Sequence, residues 1–260
     1  MNNKLRIYDI NTKQHDLYKK IYKNQSYKYV CNKLQQYKNL NNIKMTMISA
    51  LNLLDNYIDP SDPDVDVPNS IHAYQTAERI RKSYPNNIEF QVCGLIHDVG
   101  KVLFSFDEPS YNVVGDTFVV GAEFPKTIIY YDDMKENPDF NNELLNSKYG
   151  VYQAYCGLDN VKISFGHDEY LFKVLTSNTN HLFPYKYSKV IRYHSLYPWH
   201  SCNEYRHLMN HEDYYTLQDV IEFNKFDLYS KEDTDFILTD KIKKYYNTLL
   251  QHFFPEELHW

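Results

Sequence analysis

The residues with the clearest chemical potential are His97 and Asp98, which are adjacent within residues 87–104, NIEFQVCGLIHDVGKVLF. On a helix, the two side chains point about 100° apart, so an imidazole and a carboxylate can reach one metal ion from two directions. The carboxylate can also bridge to a second metal. Burying such a pair is unfavourable unless something satisfies it. For an isolated His-Asp pair, a core histidine hydrogen-bonded to its neighbour is the simpler interpretation.

The residues around this pair favour a functional role. At four-residue spacing, Cys93, His97 and Lys101 share one helical face. The rest of the surface of this predicted helix is mostly apolar, with Val92, Leu95, Ile96, Val99 and Leu103. A helix that is buried nearly all round, with its polar groups in one cluster, is therefore predicted.

Further histidines and carboxylates occur on other predicted helices. The candidate ligands are His72, His97, Asp98, His167, His194 and Asp227. A second His-Asp pair is formed by His167 and Asp168. Helical bundles build metal sites from side chains that project inward from facing helices. The other histidines lie in more polar or terminal contexts, where we predict surface or capping roles: His15, His181, His200, His207, His211, His252 and His259.

The candidate ligands comprise imidazoles and carboxylates without sulfur. They are too many for one four-coordinate zinc ion and suit two metals that share a bridging carboxylate. Nitrogen and oxygen donors fit iron, manganese or zinc, and composition does not choose among them. Two metals about 3.5–4 Å apart can clamp a phosphoryl substrate for hydrolysis, whereas an iron pair can instead bind oxygen.

Hydrophobic periodicity predicts an all-α fold in which a single-domain helical bundle positions these ligands. The predicted helices are residues 15–37, which can break near 24–26, then 42–57, 71–84, 87–104, 157–178, 184–197, 215–228 and 242–254. Asn69 or Ser70 is the predicted N-cap of the helix that carries His72. Residues 59–70 form a Pro- and Asp-rich loop, residues 105–124 a loop with turns at Gly115 and Gly121, and residues 128–149 a loop or short helices.

Composition and charge restrict the function class. The 260 residues carry a formal net charge of -6, and lysine and arginine are rather evenly scattered apart from a basic N-terminal third, which argues against a nucleic-acid surface. The polar N-terminus does not resemble a secretory signal, and no apolar run reaches the roughly 18 residues that a membrane span requires. The four cysteines are far apart in the sequence and form no CxxC motif. We expect reduced thiols and a cytoplasmic location.

Six sequence blocks carry more information than the ligand pattern alone. The order H…HD…H…H…D resembles that of the HD-domain superfamily, although the short motif HDxGK also occurs in HD phosphohydrolases. In chain order, the blocks are DPSDPDVDVPNSIHAYQTAE, GLIHDVGKVL, VVGDTFVVG, SFGHDEYL, RYHSLYPWH and EFNKFDLYSK. Together they resemble the myo-inositol oxygenase family, collinearly from about residue 6 to the C-terminal residues.

The resemblance implies an HD-domain-like bundle that encloses a dinuclear metal site. It implies a cytosolic, monomeric, non-haem di-iron enzyme that uses O2 to cleave the ring of myo-inositol to D-glucuronate and water. The cofactor would be two iron ions in the Fe(II)/Fe(III) state. One iron would be bound by His72, His97, Asp98 and Asp227, and the other by His167 and His194, with Asp98 as the bridge.

The resemblance also implies substrate contacts. They are Lys101, Gly115, Asp116, Ser195 and Lys231, joined by Asp59 and Ser61, and a catalytic role falls to Lys101 and Asp98. A cation such as Lys101 near a metal-bound alkoxide favours its deprotonation. The alternative for this lysine is a snorkelling position at a helix end. Residues 1–40 would form a lid that contributes Arg6 and Tyr18, and residues 41–260 the catalytic core.

Two other functions compete with this prediction. An HD-type phosphohydrolase would share His72, His97, Asp98 and Lys101, but a phosphate pocket needs several cations. The predicted wall is acidic or neutral instead, with Asp59, Asp62, Asp116 and Ser195. A catalytically silent helical protein would be expected to lack ligands, whereas all the candidate positions are filled.

Overall fold

A computed structural model describes residues 9–61, 68–230 and 236–260. Helices dominate it and confirm the predicted all-α class. The α-helices are α1 (Lys13–Asn24), α2 (Tyr27–Gln36), α3 (Met47–Leu53), α4 (Asn69–Ser83), α5 (Ile88–Ile96), α6 (His167–Ser177), α7 (Tyr185–Tyr193), α8 (Tyr197–His200), α9 (His211–Ser230) and α10 (Asp240–Phe253). The 3-10 helices are Leu54–Asn56, Val99–Phe106, Ser110–Asn112, Tyr131–Glu136 and Leu158–Asn160. The strands β1 (Lys44–Met45) and β2 (Leu258–His259) pair antiparallel.

The N-terminal helices follow the prediction closely. The break predicted near residues 24–26 is confirmed, because α1 ends at Asn24 and α2 begins at Tyr27. Each helix has a hydroxyl N-cap: Thr12 accepts from the amide of His15, and Ser26 from that of Tyr29. The apolar face of α1 is buried in the core that the other helices share.

The helix predicted at residues 42–57 is shorter than expected. Residues 44–45 are extended instead, because they pair with β2 near the C-terminus. Trp260 extends this pairing, since its amide donates to the carbonyl of Ile43 at 3.0 Å and its indole N–H to that of Met45 at 3.1 Å. Thr46 then caps α3. The partner of residues 44–45 is distant in sequence, so local periodicity does not reveal it.

The predicted cap of α4 is wrong. The helix begins at Asn69 with Pro68 before it, and the side chains of Asn69 and Ser70 bond other groups. Asn69 donates to Asp98 at 3.0 Å, and Ser70 donates to Asp55. Each side chain is therefore unavailable for capping because it ties α4 to a neighbouring element.

The helix predicted at residues 87–104 changes geometry at the His-Asp pair. Asn87 caps α5, which ends at Ile96, and a 3-10 helix follows from Val99. In a 3-10 helix, residues three apart lie on the same side. Lys101 therefore contacts Asp98 instead of sharing a face with Cys93, whose thiol faces the Tyr187 carbonyl at 3.9 Å. The predicted alignment of Cys93, His97 and Lys101 is wrong.

The second His-Asp pair also lies at a helix end. Residues 157–178 were expected to be one helix, but α6 begins only at His167. The preceding segment is extended, because Ile163 forms an antiparallel bridge with Val119 and Ser164 donates to the Phe118 carbonyl. The extended segment therefore pairs with residues 118–119 of the predicted loop at residues 105–124. The chain turns in this loop at Gly115 and Gly121, whose φ angles are 102° and 81°.

The last predicted helices are found with altered ends. Pro184 precedes α7 as expected, but α7 ends at Tyr193, and Pro198 lies in the first turn of α8 instead of ending a helix. Proline is tolerated there because the first amides of a helix have no intrahelical partner. Helix α9 is longer than predicted, and α10 matches its prediction closely. Among the described residues, no helix is both long and apolar enough to cross a membrane.

Candidate metal centre

Helix ends and helix faces bring all the predicted ligands together. His72 lies on α4 and Asp227 on α9, His97 and Asp98 follow α5, His167 opens α6, and His194 ends α7. Every one of these side chains is buried. The structure therefore converges residues from five helices on one point in the core.

Asp98 lies between two groups of imidazoles. Its Oδ1 is 3.2 Å from His167 Nε2 and 3.8 Å from His194 Nε2. Its Oδ2 is 3.5 Å from His97 Nε2 and 3.8 Å from His72 Nε2. Because each carboxylate oxygen faces a different pair of histidines, Asp98 has the arrangement of a bridging ligand.

The two groups of histidines differ in their other partners. Asp227 Oδ1 lies 2.9 Å from His72 Nε2 and 3.4 Å from His97 Nε2, so these three residues form one compact donor set. In the other group, the Nε2 atoms of His167 and His194 are 3.4 Å apart. Two Nε2 atoms at this distance, both facing one carboxylate, suit a shared cation.

Backbone carbonyls orient three of the imidazoles. The Nδ1 atoms of His97, His167 and His194 lie 2.8, 2.7 and 2.7 Å from the carbonyl oxygens of Gly94, Val113 and Ile191. A carbonyl only accepts, so the ring proton resides on Nδ1 and the Nε2 lone pair points into the centre. Metal-binding histidines are held in this way.

The charges at the centre favour a cation. Burial alone would raise the pKa of Asp98, but Lys101 and His97 hold it well below its usual range. Burial would likewise raise the pKa of Asp227, but His72 and His97 keep it well below its usual range. Burial lowers the pKa of His72 and so favours the neutral imidazole, which binds metals. Burial alone would lower the pKa of His194, but Asp168 holds it well above its usual range, so this ring can carry a proton where a metal would bind. Ionised carboxylates in a buried site require a positive charge, so the residues fit a metal.

Lys101 joins the centre to the turn at residues 59–61. Its Nζ lies 2.7 Å from Asp59 Oδ2 and 2.8 Å from Asp98 Oδ2. Asp59 Oδ1 in turn accepts from the amide and hydroxyl of Ser61 at 2.7 and 2.6 Å. Burial alone would lower the pKa of Lys101, but Asp59 and Asp98 raise it, so the ammonium stays charged. Lys101 is buried at the centre, and the snorkelling alternative is wrong.

The loop after Gly115 lies beside Ser195. Thr117 donates from its amide to the Ser195 carbonyl at 2.9 Å, and the Tyr18 hydroxyl donates to Asp116 Oδ1 at 2.9 Å. Gly115, at φ 102°, lies so close to Ile21 that an added Cβ would be 2.5 Å from its Cδ1. The structure therefore places Asp116 between α1 and the residue that follows His194. The predicted contacts Arg6 and Lys231, and Asp62 of the predicted wall, lie outside the described residues.

Comparison with known proteins identifies the family. The family model described as myo-inositol oxygenase matches residues 11–260. The chain belongs to the myo-inositol oxygenase family. Inositol oxygenase of Danio rerio is 44% identical over 244 residues, which cover 94% of this chain and 87% of the relative. The Dictyostelium discoideum and Homo sapiens inositol oxygenases are 45% identical over 251 residues and 43% over 244, covering 94% of this chain and 85% of each relative.

In this member of the myo-inositol oxygenase family, several residues that contact the site were not predicted from the sequence. Asn69 donates to Asp98, Asp168 lies behind His194, and Gln14 donates to the Ser61 carbonyl at 2.6 Å. Two histidines predicted to have surface or capping roles are buried: His15, which bonds Asp133, and His200. His200 does cap α7, since its Nε2 bonds the His194 carbonyl at 2.9 Å. Only side-chain directions reveal these contacts, and sequence spacing does not.

Gln25 fixes the segment that orients His167. It is fully buried, its Nε2 donates to the carbonyls of Tyr111 and Phe165 at 2.9 and 2.8 Å, and its Oε1 accepts from the amide of Phe165 at 2.9 Å. It thus ties the chain before Val113 to the chain before His167. The ring and the amide of His167 both bond the Val113 carbonyl.

We therefore expect Gln25→Leu to lower the free energy of unfolding by about 2–4 kcal/mol, because it leaves several buried backbone groups unpaired. We also expect weaker metal retention. Thermal unfolding and metal content after dialysis test both effects. Asn24→Ala is the control, since that partly exposed neighbour bonds only its own helix at the Lys20 carbonyl. Equal melting temperatures for the two variants would contradict this role.

Gly100 explains the glycine of the HDVGK motif. A Cβ added there would lie 2.1 Å from the carbonyl oxygen of His167 and 3.0 Å from its Cα. No side chain fits at such distances, so Gly100 allows the 3-10 turn after Asp98 to contact the start of α6.

We expect Gly100→Ala to displace His167, to abolish metal retention and to cost about 3 kcal/mol or more of folding free energy. Gly166→Ala is the matched control on the other side of the same contact. Its φ of -159° is open to any residue, and the nearest atom to an added Cβ is Asp168 Oδ2 at 3.7 Å. The measurements are metal content and denaturant unfolding. A fully loaded Gly100→Ala variant would disprove this packing constraint.

Proposed function

We propose that this chain is an inositol oxygenase that uses O2 to cleave the ring of myo-inositol to D-glucuronate and water at a pair of iron ions. The observation that carries the proposal is Asp98, whose two oxygens face two separate groups of histidines in a chain of this family. The donor set has the nitrogen and oxygen ligands that iron accepts.

In this proposal, His72, His97 and Asp227 would hold one iron, His167 and His194 would hold the other, and Asp98 would be shared by both. An Fe(II)/Fe(III) pair bound there would supply the oxidation chemistry with O2. The protein orients the ligands through the carbonyls of Gly94, Val113 and Ile191. It also keeps the centre buried, which protects reactive species from water.

We assign Lys101 to the substrate hydroxyl that ionises. Asp59 and Asp98 keep the ammonium protonated, so Lys101 does not act as a base. A fixed cation lowers the pKa of a nearby hydroxyl by stabilising the oxyanion. Asp98 orients this ammonium through the contact at 2.8 Å and therefore serves both a metal and the lysine.

The remaining polar groups suit a neutral polyol. Asp59, Ser61, Asp116 and Ser195 supply acceptors and hydroxyl donors, which match the hydroxyls of a cyclitol. Gly115 allows the backbone of the loop that carries Asp116 to lie close to Ile21 of α1. Arg6 and Lys231 are further proposed contacts that rest on the sequence resemblance alone.

We propose that residues 1–40 act as a lid on the catalytic core of residues 41–260. Helix α1 supports this proposal because it contacts both loops of polyol-binding residues, through Gln14 to Ser61 and through Tyr18 to Asp116. A lid would exclude water and reductants during turnover. The four unpaired cysteines support a reducing, cytoplasmic location, and we propose a monomer.

Phosphate esters are expected to be poor substrates. The lysine at the centre is already paired with two carboxylates, and Asp116 adds a carboxylate to the loop that bonds the Ser195 carbonyl. A phosphate pocket needs several cations, whereas one ammonium is enough to stabilise a single alkoxide. We therefore expect no metal-dependent hydrolysis of nucleotides or p-nitrophenyl phosphate with iron, manganese or zinc. Release of phosphate or nitrophenol measures this. Hydrolysis that disappears in Asp98→Asn would favour the HD-type phosphohydrolase instead.

The test of the proposed function is O2 uptake by anaerobically purified, iron-loaded and partly reduced protein when myo-inositol is added. We expect inositol-dependent uptake with one uronic acid formed per O2 consumed, identified by mass spectrometry. A sugar alcohol without a ring is the negative control. Iron-loaded protein that consumes no O2 with inositol would contradict the proposal.

A further inference from the structure

The two halves of the centre differ in charge. Asp227 lies against His72 and His97 and gives that half its own carboxylate. The half formed by His167 and His194 shares Asp98 and has no second carboxylate among the proposed ligands. A cation held by these two histidines would therefore meet less negative charge than one held by the other half.

Asp168 supplies a carboxylate behind this second half. Its side chain is 0% exposed, and its Oδ1 lies 2.9 Å from His194 Nδ1 and 3.6 Å from His167 Nε2. His194 Nε2 faces Asp98, so Asp168 lies on the outer side of the same ring. It begins the first turn of α6 with His167 and is held in place by the backbone of that helix.

The environment of Asp168 leaves its charge uncompensated by hydrogen bonds. Among the described residues, none donates a hydrogen bond of good geometry to either carboxylate oxygen. A buried carboxylate is costly unless a positive charge lies nearby. The groups within reach are the rings of His194 and His167 and the hydroxyl of Ser195. The hydroxyl is neutral, so a positive charge that arrives at the two rings is what stabilises Asp168.

We propose that Asp168 is the third carboxylate of the centre, a positioning residue that acts through His194 to stabilise the metal held by His167 and His194, and its more oxidised state. This inference rests on the proposed function. Asp168, His167 and His194 are close enough to form a donor group, but Asp168 Oδ1 lies nearest to His194 Nδ1, on the side of the ring away from Asp98, so the inference assigns it no metal bond. The Ile191 carbonyl, 2.7 Å from His194 Nδ1, already sets the tautomer of the ring, so Asp168 contributes charge.

The physical consequence is an effect on binding and on redox state. The carboxylate of Asp168, 2.9 Å from His194 Nδ1, acts on the metal through its charge. Changes to the outer partners of metal-binding histidines typically alter metal affinity about 10–100-fold. A negative charge near one metal also favours its higher oxidation state. Removing the charge of Asp168 should therefore weaken the second metal site selectively and raise the reduction potential of the pair.

The experiment compares Asp168→Asn with Glu169→Gln in the full chain. Glu169 is the next residue and is also buried, but its carboxylate pairs with Arg192 at 2.7 Å, away from the centre. Iron titration gives the affinities of the two sites, and a redox titration followed by electron paramagnetic resonance gives the potential. We expect Asp168→Asn to lose about 10–100-fold in affinity at one site only and to show a raised potential. We expect Glu169→Gln to keep both values while losing stability.

Asp168→Glu separates charge from shape, because it keeps the carboxylate on a longer side chain. It should retain a potential closer to that of the wild type than Asp168→Asn, and it serves as the test if Asp168→Asn does not fold. Three results would overturn this inference and leave the proposed function standing. They are equal shifts in Asp168→Asn and Asp168→Glu, unchanged affinity and potential in Asp168→Asn, or an equal loss in Glu169→Gln. Wild-type protein that binds fewer than about two irons would overturn the proposed function and this inference with it.

Discussion

Replacing Asp98 by alanine is expected to abolish metal loading, because both carboxylate oxygens face histidine nitrogens. Oδ1 is 3.2 Å from His167 Nε2, and Oδ2 is 3.5 Å from His97 Nε2. Without this carboxylate, each half loses a donor, and two cations in the same cavity would repel each other with less compensation. We expect iron retained after dialysis to fall at least about 100-fold, a larger loss than changes to the partners of metal ligands produce.

The control for this variant is Asp132→Ala. Asp132 has a carboxylate that is 95% exposed, and it makes only a surface contact with Lys135. His97→Ala should reproduce the loss, since His97 Nε2 lies 3.4 Å from Asp227 Oδ1 within the compact donor set. The metal content of dialysed protein, together with circular dichroism to confirm folding, measures the effect. A folded Asp98→Ala variant with full iron content would contradict a bridging role.

Replacing Lys101 by alanine is expected to leave the metals bound while removing turnover. Lys101 is not one of the proposed metal ligands, since its ammonium pairs with Asp59 and Asp98. Removing one fixed group that stabilises a developing oxyanion typically costs about 100–1000-fold in kcat. We therefore expect that loss in inositol-dependent O2 uptake, with iron content close to that of the wild type.

Two variants define the role of Lys101 further. Lys101→Met keeps a buried unbranched side chain without charge and should lose the same activity, which would assign the effect to the cation. Lys135→Ala removes an exposed lysine and should leave activity unchanged. Normal turnover in Lys101→Ala or Lys101→Met would disprove the role of the ammonium.

The proximity of the candidate metal ligands could be predicted from sequence because each lies in a short local motif. The structure brings His72, His97, Asp98, His167, His194 and Asp227 together as expected. The turn of Asp59 and Ser61, predicted as substrate contacts, lies against Lys101. Imidazole and carboxylate types are visible in sequence, and buried polar residues on apolar helices rarely lack a partner. The presence of a metal-ligand set could therefore be predicted without coordinates.

The backbone around these residues was harder to predict, because non-local contacts determine it. Residues 44–45 pair with the C-terminus, and Ile163 pairs with Val119, so two predicted helices begin later than periodicity suggests. The change from α5 to a 3-10 turn depends on the contact between Gly100 and His167. Each of these partners is distant along the chain, and local propensity does not report it.

The partners of the ligands could not be predicted for a related reason. Asn69 looks like an N-cap in sequence, yet it donates to Asp98. Asp168 looks like the second half of a repeated His-Asp motif, yet it lies behind His194 instead of facing Asp98. Side-chain direction at a helix end depends on how the preceding segment enters the helix, and that segment is fixed by Gln25 and the loop it bonds.

The central claim is that Asp98 bridges two metals held by separate groups of histidines. Anomalous diffraction at the iron edge from crystals of the iron-loaded protein tests it directly. We expect two peaks about 3.5–4 Å apart. One should lie beside His72, His97 and Asp227, the other beside His167 and His194, with Asp98 between them. A single peak, or two peaks that do not share Asp98, would contradict the claim.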